Sequence, residues 1–248
     1  MVERHGNWRG WKDYFAARSA RPEPRILADD PQLASVPKSV ARSLAIFQLG
    51  ESGGGTVIEQ ARNCKINGID ENYAEAMALF VAEEHRHAEL LACCVRALRG
   101  KLIRSNWTAR LFVFGRRLIG LRLKVMVLLA AEVVGICYYH LLSSRLPDGG
   151  LKSLLTEIVA DEKSHLQFHC CFLRTQVHGQ SDRIVFVVTW RVLMLAAAVV
   201  VLFDHRHALR DIGVTPSVAW HRWMVYSRTA ENIVSQPRRR AAARLATR

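Results

Sequence analysis

The chain has 248 residues and half of them are apolar, which excludes a disordered protein and gives enough chain to bury a substantial core. Its formal net charge of +13 indicates an anionic partner, such as nucleic acid, an acidic lipid surface, an acidic carrier protein or an anionic substrate, although arginine used as a solvated cation explains the same charge. The six cysteines show no CxxC spacing and the first residues lack the apolar core of a signal peptide, so we expect a cytoplasmic protein with reduced thiols.

Helices are the predicted elements throughout the chain. Proline is absent from 38–146, which favours long helices, and no alternating strand pattern occurs. The predictions, in chain order, are an N-terminal extension at 1–37 with a short helix at 9–18, four long helices at 38–66, 71–99, 118–145 and 151–177, an apolar fifth helix at 183–208, a short helix near 216–234 and a basic tail at 236–248. We therefore predict an all-α protein with a four-helix bundle at 38–177 and additional C-terminal helices at 178–235.

The connection at 101–117 suits a crossover along the side of the bundle. A longer third helix that starts near residue 107 is the alternative. Turns are predicted between the first and second long helices, at NGIDEN (67–72), and between the third and fourth, at LPDGG (146–150), because both stretches are strong turn signals.

Two helices carry the same acidic motif. Glu84-x-x-His87 lies in the second long helix and Glu162-x-x-His165 in the fourth. Residues i and i+3 share a helix face, so each pair can bind a metal ion together. One such motif arises easily by chance, whereas two on apolar helices indicate a metal site.

Each motif has a partner acid at the same height. Glu51 and Glu84 are equidistant from the turn at 67–68, and Glu132 and Glu162 are equidistant from the turn at 146–150. In antiparallel neighbours, all four acids then lie about 22–25 Å from their turns, near the middle of the bundle. Glu132 is a lone acid in an apolar helix, and burying it unpaired would be costly. Pairing with Arg122 or Lys124, or a position at a solvent-facing edge, is the alternative reading of Glu132.

Four carboxylates and two histidines from four helices are the donor set of a dinuclear iron or manganese site. With this set, residues 38–177 resemble the ferritin-like di-iron carboxylate superfamily. The resemblance implies two iron ions, with manganese as an alternative. It also implies that Glu84 and Glu162 bridge the two ions, that Glu51 with His87 completes one, and that Glu132 with His165 completes the other.

Acids also precede both motif glutamates. In the oxygen-activating branch of the superfamily, an acid at the position of Glu83 or Asp161 often hydrogen-bonds a ligating histidine on the opposite helix; a solvated surface acid is the alternative. Other side chains near the motifs are expected on helix faces or at the surface and not among the ligands: His85, His140, His169, Glu59 and Glu89.

The glycine-rich stretch LGESGGGT at 49–56 has three interpretations: a phosphate loop, a linker or a helix interior. Thr56 stands where a phosphate loop needs lysine and no strand precedes it, which argues against the first. We predict a helix, weakened by its glycines, in which Gly54 and Gly55, together with Gly135 beside Glu132, leave room for O2 or substrate.

The expected function is O2 activation by a di-iron oxidase or monooxygenase. It would hydroxylate, N-oxygenate or desaturate an organic small-molecule or carrier-bound substrate, with a redox partner or other external electron donor. Ferroxidase or iron-handling activity is one alternative, and a protein associated with a membrane or an acidic carrier is another. Nucleic acid is not expected as a partner, because no nucleic-acid-binding motif occurs.

The apolar stretch at 184–203 is long enough to cross a membrane. Arg191 within it would cost roughly 2.5–3.5 kcal/mol on insertion. We therefore expect this helix to pack along the bundle, with a homodimer interface and a peripheral position on an anionic membrane as alternatives.

Overall fold

The structure is a computed structural model that describes residues 7–21, 30–53, 55–106 and 120–235. Within these ranges the chain is all-α and contains no strand, as the sequence predicts. The α-helices are α1 (Trp8–Ser19), α2 (Lys38–Glu51), α3 (Gly55–Asn63), α4 (Glu71–Ala97), α5 (Leu121–Ser143), α6 (Gly150–Gln176), α7 (Gln180–Asp204), α8 (Arg206–Asp211) and α9 (Pro216–Ser235), and a 3-10 helix covers Pro31–Ser35. The predicted basic tail and most of the predicted 101–117 connection lie outside the described residues.

Two antiparallel helix pairs position the centre of the bundle. Helix α2 packs on α4, and helix α5 packs on α6. The end of α4 meets the beginning of α2, since a Cβ atom on Gly100 would lie 2.8 Å from that of Ala41. The beginning of α5 meets the end of α6, where Arg122 Nε donates a hydrogen bond of 3.0 Å to Gln176 Oε1. Residues in the middle of paired helices therefore lie level with each other.

Local signals set the ends of the long helix α4. The side chain of Asp70 caps it by accepting a hydrogen bond of 3.1 Å from the backbone N–H of Tyr73. At the other end Arg99 adopts a left-handed φ of 54°, and the N–H of Gly100 bonds the carbonyl of Val95 at 2.8 Å. These two ends place Glu84 near the middle of the helix.

The glycine-rich stretch interrupts the first long helix, so the prediction of a continuous helix over 38–66 is wrong. Helix α2 ends at Glu51, and α3 begins at Gly55. Gly53 is not helical, and Gly54 lies outside the described residues. Each glycine weakens a helix by up to about 1 kcal/mol relative to alanine and has no side chain to pack, so consecutive glycines favour a break.

Two described helices, α5 and α7, are long and apolar enough to cross a membrane, as the core helix of a soluble protein also can be. The most apolar stretch of α5 is 83% buried, so α5 is a core helix of the bundle. The corresponding stretch of α7 is only 22% buried. Its buried face packs Trp190 against α9, where the indole N–H bonds the carbonyl of Ser227 at 3.1 Å. Its opposite face exposes an apolar row: Ile184, Val185, Val188, Val192, Leu195, Val199 and Phe203.

Helix α7 ends earlier than predicted. The expected helix at 183–208 is broken at His205, which is buried and whose Nδ1 lies 2.6 Å from Ser43 Oγ. Its ring also packs 4.8 Å from that of Phe47. These tertiary contacts hold His205 in a non-helical conformation between α7 and α8.

Helix α1 corresponds to the short helix predicted at 9–18. It buries Trp8, Trp11 and Phe15 and lies beside α4. Its first residue, Trp8, donates a hydrogen bond of 2.7 Å from its indole to the carbonyl of Gly68 in the turn before α4. The N-terminal extension is therefore packed against the bundle over α1.

Candidate metal centre

Two helices supply the middle of a buried cluster. Helix α4 carries Glu84 and His87, and α6 carries Glu162 and His165, each pair on the face that is turned to the core. One ligand atom from each of the four residues lies within 4.8 Å of the others. Glu84 is 8% exposed and the other three are at most 2% exposed. This cluster can hold a metal ion.

Both imidazoles turn Nδ1 toward the carboxylates. His165 Nδ1 lies 2.9 Å from Glu84 Oε1 and 3.3 Å from Glu162 Oε2. His87 Nδ1 lies 3.2 Å from Glu162 Oε1 and 3.8 Å from Glu84 Oε1. Each of the two carboxylates therefore lies between the two histidines.

The acids expected from their distance to the turns join this cluster from α2 and α5. Glu132 is 3% exposed, and its Oε2 lies 3.6 Å from His165 Nδ1. Glu51, the last residue of α2, is in side-chain contact with Glu84 and accepts a hydrogen bond of 2.8 Å from the hydroxyl of Tyr139. The structure thus brings together all six residues that the sequence proposes as ligands.

Some buried atoms of the cluster make no hydrogen bond, although others do. Among the described residues, Glu84 Oε1, His87 Nδ1 and Glu162 Oε1 are buried and have no partner in hydrogen-bond geometry. An unpaired buried polar atom costs about 1–3 kcal/mol, and more when it is charged. Carboxylate oxygens and imidazole nitrogens are donors that suit iron and manganese. A bound metal ion would satisfy these atoms, so the residues present fit one.

Burial and mutual repulsion perturb the acids. Burial, followed by the charges of Glu84 and Glu162, raises the pKa of Glu51 well above its ordinary value. Burial and the charges of the same two residues also raise the pKa of Glu132. Burial opposes ionisation of Glu162 as well, but its contacts with Glu132 and His165 hold its pKa well below the ordinary value. Ionisation of Glu51 and Glu132 beside the other acids therefore requires added positive charge.

Among the described residues, no lysine or arginine supplies that charge in an ion pair. In the part of the chain that the structure describes, the ion pairs of Glu84, Glu132 and Glu162 are with histidines. Arg122, considered above as a partner for Glu132, bonds Gln176 instead. Lys124, the other candidate, has its Nζ 3.4 Å from the hydroxyl of Thr56. The alternative reading of Glu132 thus finds no support.

The acids that precede the motifs contact the histidines of the opposite helix. Glu83 Oε2 on α4 lies 2.9 Å from His165 Nε2 on α6. Asp161 Oδ2 on α6 lies 3.3 Å from His87 Nε2 on α4. Burial opposes ionisation of Glu83, but His165 and Arg18 outweigh it and lower its pKa to about 2. Contacts at Nε2 favour imidazoles that present Nδ1 to the cluster.

Sequence reasoning missed two residues at the edge of the cluster. Tyr139 holds Glu51, and burial with the charge of Glu51 raises its pKa well above the ordinary value. His169, expected only on a helix face, is fully buried with its Nε2 3.3 Å from Glu132 Oε1. Burial lowers its pKa to about 3. The position of His169 one turn after His165 was a signal for it.

The three glycines expected to line a cavity differ in their surroundings. A Cβ atom on Gly135 would lie 3.7 Å from the carboxyl carbon of Glu162 and 3.3 Å from the ring of Tyr139. Tyr139 and Glu162 therefore pack closely on Gly135, and no open space is seen there. Gly55 is exposed, and a Cβ atom there would meet nothing within 4 Å, so the expectation that it lines a cavity is wrong. Gly54 lies outside the described residues.

The remaining side chains considered above lie away from the cluster. His85, Glu59 and Glu89 are exposed, as expected for surface residues. His140 is half-buried, and burial with the charges of Arg222 and Lys163 lowers its pKa.

Comparison with known proteins adds no relative, since no protein-family model, no curated protein and no solved structure matches this chain.

Proposed function

We propose that the chain is a non-haem di-iron enzyme that activates O2 to oxidise an organic substrate, and that its bundle is of the ferritin-like kind. One observation carries the proposal: four acidic and two histidine side chains from four helical segments meet at one site, where all but Glu51 are buried. Two divalent cations are the simplest source of the positive charge that these acids need. Manganese is the alternative metal.

The contacts support a division of the ligands between two ions. Glu84 and Glu162 each face both histidines and would bridge the ions. Glu132 lies beside His165 and would complete one ion with it. Glu51 and His87 remain for the other ion.

Iron ions, when bound, would supply the redox chemistry with O2, and the protein would control the surroundings. The ring of Phe80 forms T-shaped contacts with His165 and His169, with ring centroids 4.8 Å and 4.7 Å apart, which keeps water from that side. Tyr139 fixes the carboxylate of Glu51 by its hydrogen bond. Excluding water and fixing the ligands are the protein's usual contributions at such a site.

The break between α2 and α3 supports an approach from solvent. Glu51 keeps partial exposure, whereas the five other proposed ligands are buried. Ser52, the next residue, is exposed. Small molecules would therefore reach the metals at the end of α2.

The test is O2 uptake by protein loaded anaerobically with Fe²⁺. With ascorbate as reductant, the wild type should consume O2 in repeated turnovers, and a Glu84→Ala/Glu162→Ala variant should consume it no faster than free iron. Uptake that stops after iron oxidation, with many ferric ions stored per chain, would favour the ferroxidase alternative. Equal uptake by the two proteins would refute O2 activation at this site.

Incubation of the loaded protein with small-molecule extracts under ¹⁸O2 would then identify the substrate class. A product that carries ¹⁸O marks oxygen insertion, and a product that has lost hydrogen without ¹⁸O marks desaturation.

A further inference from the structure

Helix α1 reaches the proposed metal centre from outside the bundle. It runs alongside α4, from Trp8 at the carbonyl of Gly68 to Arg18 beside Glu83. Trp8, Trp11 and Phe15 are at most 4% exposed and anchor α1 in the core. The end of α1 is therefore held in place at the level of the cluster.

Arg18 contacts two acids at once. Its Nε donates a hydrogen bond of 2.8 Å to Glu83 Oε1 on α4, and its guanidinium forms an ion pair with Asp161 Oδ1 on α6. Its remaining nitrogen donates a hydrogen bond of 3.0 Å to the hydroxyl of Tyr14, which lies 2.6 Å from Ser164 Oγ. The side chain is 10% exposed, so these contacts are shielded from solvent.

Each of these acids uses its second oxygen on a histidine. Glu83 Oε2 meets His165 Nε2 at 2.9 Å, and Asp161 Oδ2 meets His87 Nε2 at 3.3 Å. Both carboxylates therefore stand between the same guanidinium and one histidine each. Because the Nε2 atoms are held in this way, both Nδ1 atoms face the cluster.

We propose that Arg18 is a positioning residue that orients both histidines through Glu83 and Asp161, which makes α1 part of the metal site. The inference rests on the proposed metal centre. A planar guanidinium presents donors in a fixed fork and can span two carboxylates, which a lysine ammonium cannot do with the same geometry. Outer partners of this kind typically change metal affinity by about 10–100-fold.

The two sides of the arrangement are unequal. Asp161 has further cations nearby, with Arg21 at 3.2 Å and Arg86 at 3.9 Å. Arg18 is the arginine that the structure describes in an ion pair with Glu83. Loss of Arg18 should therefore free Glu83 before Asp161. His165 would then lose its fixed orientation first, and the affected metal position is the one beside Glu132.

The experiment compares Arg18→Gln with Lys12→Gln. Lys12 is a matched control, because it also joins α1 to α4, through an ion pair of 2.8 Å with Glu75, but lies away from the cluster. Mn²⁺ binding is measured by calorimetry, and iron per chain is measured after anaerobic loading. Tryptophan fluorescence of the metal-free proteins reports whether α1, with Trp8 and Trp11, stays packed.

We expect wild type and Lys12→Gln to bind two ions with equal affinity. Arg18→Gln should keep its fluorescence, bind Mn²⁺ about tenfold more weakly and retain about one iron per chain. Arg18→Lys should restore only part of the affinity. Equal Mn²⁺ affinity of Arg18→Gln and Lys12→Gln, whether both are normal or both are weakened, would overturn the proposal that Arg18 orients the histidines.

If Arg18→Gln does not fold, Arg18→Lys decides the question in the same way, because wild-type affinity there would also overturn the proposal. A wild type that binds no metal would instead overturn the proposed function. The two failures are therefore distinguishable.

Discussion

Tyr139, in the middle of α5, donates a hydrogen bond of 2.8 Å to Glu51, the residue at which α2 ends. This bond holds a proposed ligand that sits beside a break in the helix. Tyr139→Phe should weaken metal binding by about 1.5 kcal/mol, roughly tenfold in affinity, because a hydrogen bond to a charged group is lost. Mn²⁺ calorimetry measures the change.

The neighbouring Tyr138 gives the matched control for that variant. It is equally buried, but its hydroxyl contacts Ser43 and not a proposed ligand. Tyr138→Phe should therefore bind Mn²⁺ as the wild type does. An equal loss of affinity in both variants would indicate a general effect of removing a buried hydroxyl.

Glu132→Gln should change the metal-free and metal-loaded proteins in opposite ways. The pKa of Glu132 is raised, so its contribution to stability is present at low pH and is lost as pH rises toward the folded pKa. Gln has the same shape and no charge, and the metal-free variant should therefore be at least as stable as the wild type at pH 8. Its stabilisation by metal should be smaller.

Thermal unfolding measures both effects. Metal at 100 times its dissociation constant stabilises the wild type by about 2.7 kcal/mol, or roughly 5–10 °C for a chain of this size. Glu89→Gln, on the exposed face of α4, should keep the full shift. A full shift in Glu132→Gln as well would argue against Glu132 as a ligand.

Gly135 and Gly55 should respond differently to alanine. A methyl group at Gly135 would press on Tyr139 and approach Glu162, whereas one at Gly55 meets open space. Gly135→Ala should slow O2 uptake by the iron-loaded protein while iron still binds, and Gly55→Ala should leave uptake unchanged. Normal uptake in Gly135→Ala would show that O2 uptake does not depend on the absence of a side chain at this position.

His205 gives a pH dependence away from the metal centre. Burial lowers its pKa to about 4, so protonation is easier in the unfolded chain than in the folded protein. The contribution of the neutral His205 side chain to the free energy of unfolding is fully present above about pH 6.5. It is lost as pH falls toward the pKa of His205 in the folded protein. At pH 5 the loss is about 2 kcal/mol.

Denaturation of wild type and His205→Gln at pH 7.5 and pH 5 isolates this contribution. The wild type should lose about 2 kcal/mol more than the variant between the two values. Parallel losses in both proteins would assign the pH dependence to other groups.

The cluster could be predicted from the sequence because it depends on the spacing of residues within a helix and on their distance from a turn. The i,i+3 spacing of Glu84 with His87 follows from helix geometry, and the level of Glu51 follows from its distance to a turn. Arg18 could not be found in this way, since no periodicity links it to Glu83, 65 residues away in the chain.

The errors in the predicted fold have physical causes of the same kind. The level of Glu51 with Glu84 predicts a helix through Gly53. Glu51 is the last residue of α2, however, so the helix ends before Gly53 and still includes this proposed ligand. The end of α7 at His205 depends on a contact with Ser43, 162 residues away. The helix propensity of the residues around His205 cannot predict a contact with a residue so distant in the chain.

The most direct test of the metal centre is the metal content of the protein, compared with that of Glu51→Ala and Glu132→Ala. We predict two iron or manganese ions per wild-type chain and fewer in each variant. We also predict a change in the optical spectrum when O2 is added to the reduced, iron-loaded protein. A wild type that binds no metal, with both variants equal to it in stability, would contradict the account.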